Sequence, residues 1–81
     1  MAREVGFANY DRFIALGVAI AMRRKMQGMS QEKLAELAKI SRSHLSSIEA
    51  PNLARSFSLE VLYNIADALG VEIEELLSQA P

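Results

Sequence analysis

The chain of 81 residues has no cysteine, no tryptophan and a single histidine, His44. Without cysteine there is no disulfide framework, no thiolate nucleophile and no Cys-based zinc site, and one histidine cannot build an all-His metal site. No metal and no cofactor are therefore expected, and a cytoplasmic protein is the default. Long apolar runs are missing too. The longest uncharged stretch covers residues 13–22, about half of the ~20 residues that a membrane-spanning helix needs. The basic cluster Arg23-Arg24-Lys25 follows this stretch instead of preceding it, which is the wrong order for a secretion signal. There is no paired-carboxylate pocket, no Ser/His/Asp arrangement and no phosphate-cradling glycine loop, so an enzyme is not expected. Nothing points to a small-molecule ligand or to a membrane. A chain this short buries only about 60% of its unfolded surface, so residues 1–81 read as one domain whose function lies on its outside.

Cations are absent beyond Arg55. Residues 1–55 hold all nine Lys/Arg against five acids, a net of +4, whereas residues 56–81 hold five acids and no cation, a net of −5. The overall charge of −1 is thus an average over two opposed segments. Such a split serves solubility in many proteins and favours a nucleic-acid partner only weakly, so side-chain patterns must decide.

Helical spacing dominates what is present. Phe13, Gly17 and Ala21 share one i,i+4 row and Leu16, Ile20 and Arg24 the next, which predicts a helix from residues 9–11 to Gly28. Met22, Met26 and Met29 are read as core filling. Three serines, Ser30, Ser41 and Ser58, each precede a helical apolar pattern as N-caps. Each is flanked by a hydrophobic staple: Met29 with Leu34, Ile40 with Leu45, and Phe57 with Leu62. Pro51 stops the third helix, residues 52–57 form a loop, and Gly70 ends the fourth helix. Glu72 is a poor cap for a last short helix over residues 72–78. Five helices and no strand signal make an all-α bundle.

Only about three residues join the second and third helices. So short a link between two short helices, the second polar on its outer face, is a helix-turn-helix. Arg24 and Glu49 both lie on core-facing rows. Two opposite charges on facing helices can pair and hydrogen-bond, so an Arg24–Glu49 salt bridge is predicted, the alternative being that each charge reaches solvent at the edge of its stripe.

From Leu16 to Leu77 the sequence resembles the helix-turn-helix domain of phage repressors, Cro proteins and bacterial regulators of the xenobiotic-response-element type. The matching residues are Leu16, Ile20 and Arg24; Met29-Ser30-Gln31 and Leu34-Ala35; Ile40-Ser41-Arg42; Ile48-Glu49; Ser58-Leu59; and Ile65-Ala66 through Leu69-Gly70-Val71 to Leu76-Leu77. Lys39 stands where the family usually has glycine in the turn, which implies positive φ at a non-glycine residue or a different turn. Ala50-Pro51-Asn52 replaces a Gly-containing basic turn.

The resemblance implies a five-helix repressor-like bundle and a regulator that binds double-stranded DNA as a homodimer on a pseudo-palindromic operator. Its recognition helix would be residues 41–50 in the major groove. Arg42, Ser43, Ser46 and Ser47 then read bases, Arg42 by a bidentate contact to guanine or, alternatively, by a phosphate contact. Gln31, Ser41, Lys39, His44 and Arg55 are the candidates for backbone contacts, although His44 reads first as a lone exposed histidine. Val71, Ile73, Leu76 and Leu77, within a dimerisation segment of residues 71–81, are the expected dimer interface, with Phe7 and Tyr10 as alternatives and residues 1–8 as an N-terminal arm. A protein-interaction or antitoxin-like module on the same scaffold is the competing reading.

Overall fold

A computed structural model describes residues 9–78; the expected arm and Phe7 lie outside them. The helices are α1 (Tyr10–Met26), α2 (Gln31–Ala38), α3 (Arg42–Glu49), α4 (Leu59–Leu69) and α5 (Ile73–Leu77), and no strand occurs among the described residues. Three of the four connections are built alike. Each has one residue in the left-handed region, one apolar residue and one extended capping residue: Gly28-Met29-Ser30, Lys39-Ile40-Ser41 and Gly70-Val71-Glu72.

In each, the left-handed residue and its successor close a Schellman motif on the helix just ended. The N–H of Met29 bonds Arg24 O, that of Ile40 bonds Ala35 O and that of Val71 bonds Ala66 O, each at 3.0 Å. The same apolar residue then packs on the core immediately before the next helix. Ser30 and Ser41 cap the next helix at once, and Ser58 caps α4 in the same way after the longer loop: their Oγ atoms accept from the N–H of Lys33, His44 and Val61 at 3.0–3.1 Å. Lys39 adopts φ 63° and ψ 39° without being glycine. Holding an L-residue there costs about 1–2 kcal/mol, which the two carbonyl bonds and the burial of Ile40 offset.

Glu72 caps α5 better than its residue type suggests, because Glu75 Oε1 accepts the Glu72 backbone N–H at 3.3 Å. The remaining connection differs. Ala50 is extended (ψ 123°) ahead of Pro51, as a residue before proline must be, and the chain runs as a loop to Ser58.

The five helices share one core around Ile20, Leu34, Leu45, Ile65 and Leu76, all fully buried. Helix α2 packs chiefly on α4, while α1 packs on α3 and α5. The aromatic pair Phe13–Phe57, edge to face with centroids 5.3 Å apart, ties the end of the long loop to α1. Two expectations fail here. Met22 and Met26 are 52% and 79% exposed, so they do not fill the core; only Met29 packs against it. Leu76 is fully buried under α1 and α4, whereas the adjacent Leu77 is half exposed. Leu76 therefore completes the core of its own chain and offers no surface to a partner.

Candidate nucleic-acid interface

Helices α2 and α3 and the three-residue turn between them form a helix-turn-helix, and the position of α3 is set from behind. Gly17 lies so close to α3 that a Cβ built on it would overlap the carbonyl oxygen of Ile48. At the same end of α3, Arg24 and Glu49 are 8% and 7% exposed and pair through two bonds, Nε to Oε2 at 2.8 Å and Nη2 to Oε1 at 2.9 Å. The remaining Arg24 nitrogen, Nη1, donates to Met29 O at 2.8 Å, and Gln31 Nε2 donates to Glu49 Oε1 at 2.9 Å. One guanidinium and one carboxylate thus join the end of α1, the α1–α2 turn, the start of α2 and the end of α3. Their partners are what make two buried charges tolerable, since a carboxylate or guanidinium buried alone costs several kcal/mol.

Away from the buried Leu45 and Ile48, the outer face of α3 meets solvent. Arg42, Ser43 and Ser46 are exposed, and Ser47 is partly buried. The Ser47 hydroxyl donates to Ser43 O at 3.1 Å, which leaves it acceptor capacity only. Ser41 Oγ caps the helix and lies 3.4 Å from Ser43 Oγ. His44 is partly buried, which corrects its reading as an exposed histidine. Arg42 lines a shallow depression with Ser30, Gln31 and Glu32, so the start of α3 adjoins the start of α2.

The cations divide into two sets. Arg24 pairs with Glu49, Arg23 with Glu75 at 3.8 Å and Lys33 with Glu36 at 4.0 Å. Lys39 in the turn, Arg42 at the start of α3 and Arg55 in the following loop are exposed and have no carboxylate within 4.0 Å among the described residues. Three of the cations without an ion-pair partner among the described residues thus lie in the turn before α3, at its start and in the loop after it, the others being Arg12 and Lys25 on α1. Among the described residues no group of His, Cys, Asp or Glu could hold a metal ion, and no helix is long and apolar enough to cross a membrane.

Two structural roles were missed in the sequence. The Gln31 amide supports Glu49, which only the three-dimensional clamp reveals. Gly17 marks the closest approach of α1 and α3, and its signal was there to read: a glycine inside a helix on an inward-facing row. Of the expected dimer residues, Val71 and Ile73 are partly buried against the core. Leu77 instead borders an apolar groove of about 530 Å³ with Phe13, Leu16, Phe57, Leu59 and Leu62.

Comparison with known proteins agrees with this geometry. The helix-turn-helix family model matches residues 20–76. The HTH-type transcriptional regulator SinR of Bacillus licheniformis is 38% identical over 64 residues, which cover 79% of this chain and 57% of SinR. The chain thus spans little more than half the length of that curated relative. The crystal structure of the restriction-modification controller protein C.AhdI from Aeromonas hydrophila superimposes with a TM-score of 0.76 at 33% identity, covering 83% of this chain and 98% of that one. The clp gene regulator ClgR from C. glutamicum gives 0.76 at 31% identity, covering 86% and 87%. With the turn, the caps and the buried clamp all falling inside the matched residues, this chain belongs to the helix-turn-helix family of the phage-repressor and Cro type.

Proposed function

We propose that this chain is a sequence-specific, double-stranded DNA-binding transcription regulator, acting in the cytoplasm, that inserts α3 into the major groove. The observation that carries the reading is the contrast across α3. Its buried side, with Leu45 and Ile48, meets α1 at Gly17 and its end is held by the Arg24–Glu49 clamp, while Arg42, Ser43 and Ser46 are exposed, and Lys39, Arg42 and Arg55 have no ion-pair partner among the described residues. Arg42 can bridge guanine O6 and N7, and the serines, being short, act only at close approach. Ser47 contributes as an acceptor. Lys39 and Arg55 meet phosphates on either side, with Ser41 and His44 near the same strand. Gln31 keeps one amide hydrogen and its carbonyl for the backbone. Relatives named as a transcriptional regulator, a controller protein and a gene regulator support the same role.

A homodimer on a pseudo-palindromic site follows, with two recognition helices about 34 Å apart. Leu77 at 50% exposure and Leu59 at 61% border the apolar groove and supply the dimer contact, whereas Val71 and Ile73 line a separate depression with Tyr63. The test is fluorescence anisotropy on genomic fragments at several salt concentrations, with Arg42→Ala beside the wild type. Sequence preference, steep salt dependence and a loss of about 1–3 kcal/mol of base discrimination in the variant are expected. Binding that is absent, salt-insensitive or blind to sequence overturns the proposal.

A further inference from the structure

Helix α1 is apolar on two sides, and the core uses one. Leu16 and Ile20 are buried, but Ile14 and Val18 remain partly exposed and Met22 is 52% exposed. A second apolar stripe therefore runs along the outside of the helix. Its ends carry charge. Seven residues turn a helix through 700°, only 20° short of two full turns, so Asp11 and Lys25 lie on nearly the same line as Val18, each about 10 Å from it. Ile14 and Met22 stand four residues to either side of Val18. From end to end the stripe reads acid, apolar, apolar, apolar, base, and reversing it sets each charge against its opposite. Asp11 and Lys25 are both exposed, and neither has an ion-pair partner among the described residues.

We propose that this face of α1 binds the same face of a second copy, antiparallel about a two-fold axis at Val18, with Asp11 of each chain facing Lys25 of the other. An antiparallel pair is closed and isologous, so it satisfies both charges at once. A parallel pair would oppose Asp11 to Asp11 and Lys25 to Lys25. The stripe lies off the side of α1 that holds α3 through Gly17, and it is also distinct from the groove beside Leu77, so neither the recognition helix nor the proposed dimer covers it. Five side chains per copy are far fewer than the ~20–30 residues a side of a stable interface. The contact is thus weak in free solution and gains force where copies are held close. Tethering gives effective concentrations on the order of millimolar, enough to make neighbouring DNA sites fill cooperatively. That consequence rests on the DNA-binding reading; the contact itself does not.

Because the chain has no cysteine, introduced ones report without background. Antiparallel helices with axes about 8–10 Å apart bring the two copies of residue 18 within disulfide range. In a Leu77→Glu background, Val18→Cys is expected to cross-link under mild oxidation at least roughly tenfold faster than Glu32→Cys. An equal mixture of Asp11→Cys and Lys25→Cys chains should give mixed dimers well beyond the roughly twofold excess over either homodimer that random pairing produces. Adding Lys25→Glu to Val18→Cys should slow its cross-linking by roughly tenfold, and the exchanged pair Asp11→Lys/Lys25→Asp should restore it. Cross-linking at residue 18 no faster than at residue 32, mixed dimers at no more than about twice either homodimer, or failure of the exchanged pair to restore the rate would overturn the proposal. None of these measurements contains DNA, so loss of the DNA-binding reading would leave their outcome unchanged.

Discussion

Removing one half of the buried clamp should come close to unfolding the protein, and removing both halves should restore it. In Arg24→Met the Glu49 carboxylate, 7% exposed, keeps only the Gln31 amide, and Met29 O loses its donor. Breaking a buried pair on one side costs about 3–5 kcal/mol, because the remaining charge stays desolvated. A domain of this size has a total stability of roughly 4–12 kcal/mol, so the loss is a large share of the whole. Glu49→Leu should be as damaging, since it strands the guanidinium. The double variant Arg24→Met/Glu49→Leu places two apolar side chains in the same volume and removes both desolvation penalties. It should fall within about 1–2 kcal/mol of wild type, a coupling of several kcal/mol. Urea unfolding followed by far-UV circular dichroism reads this directly. With a slope of about 1 kcal/mol per molar, each single variant moves the midpoint by roughly 3–5 M and the double variant by far less. Single variants that each lose under about 1 kcal/mol would show that the charges reach solvent, and the clamp argument would fail. A double variant as weak as the singles would show that they act independently.

The turn and the packing behind it give further tests. Lys39→Gly relieves the left-handed strain at φ 63° and should raise stability by about 0.5–1 kcal/mol in the same urea assay, while removing one proposed phosphate contact and lowering the salt slope of DNA binding by about one. Gly17→Ala forces a methyl into the Ile48 carbonyl, so α3 must shift. We expect a loss of about 1–3 kcal/mol and weaker DNA binding, and an unchanged melting temperature would refute the close approach. Leu76→Ala should cost about 2–5 kcal/mol, whereas Leu77→Ala should cost under about 1 kcal/mol yet lower the dimer fraction in analytical ultracentrifugation.

What could be read from the sequence was whatever depends on neighbours along the chain. The serine caps, the staples and the glycine stops are all interactions within about five residues, and each connector carries its own signature. The Arg24–Glu49 pair spans 25 residues, yet it was also readable, because two charges on inward rows of different helices have few tolerable outcomes. Legibility ended where a three-dimensional arrangement had to choose among chemically equivalent residues. Gln31 has an amide suited to phosphate, and only the folded clamp shows Glu49 within 2.9 Å of it. Leu76 and Leu77 are the same residue type on a helix of five residues, too short for a periodic pattern to assign one inward and the other outward. Neighbouring residues on a helix point 100° apart, so the choice falls to how α5 lies across α1 and α4. The Arg23–Glu75 contact at 3.8 Å and the Glu75 bond to the Glu72 backbone both help hold α5 in that orientation. A charge at residue 75 thus takes part in placing two leucines, one in the core and one beside the groove. Of the separation of charge along the chain, the described fold uses one partly exposed ion pair, Arg23–Glu75, between the acidic final helix and the basic end of the first.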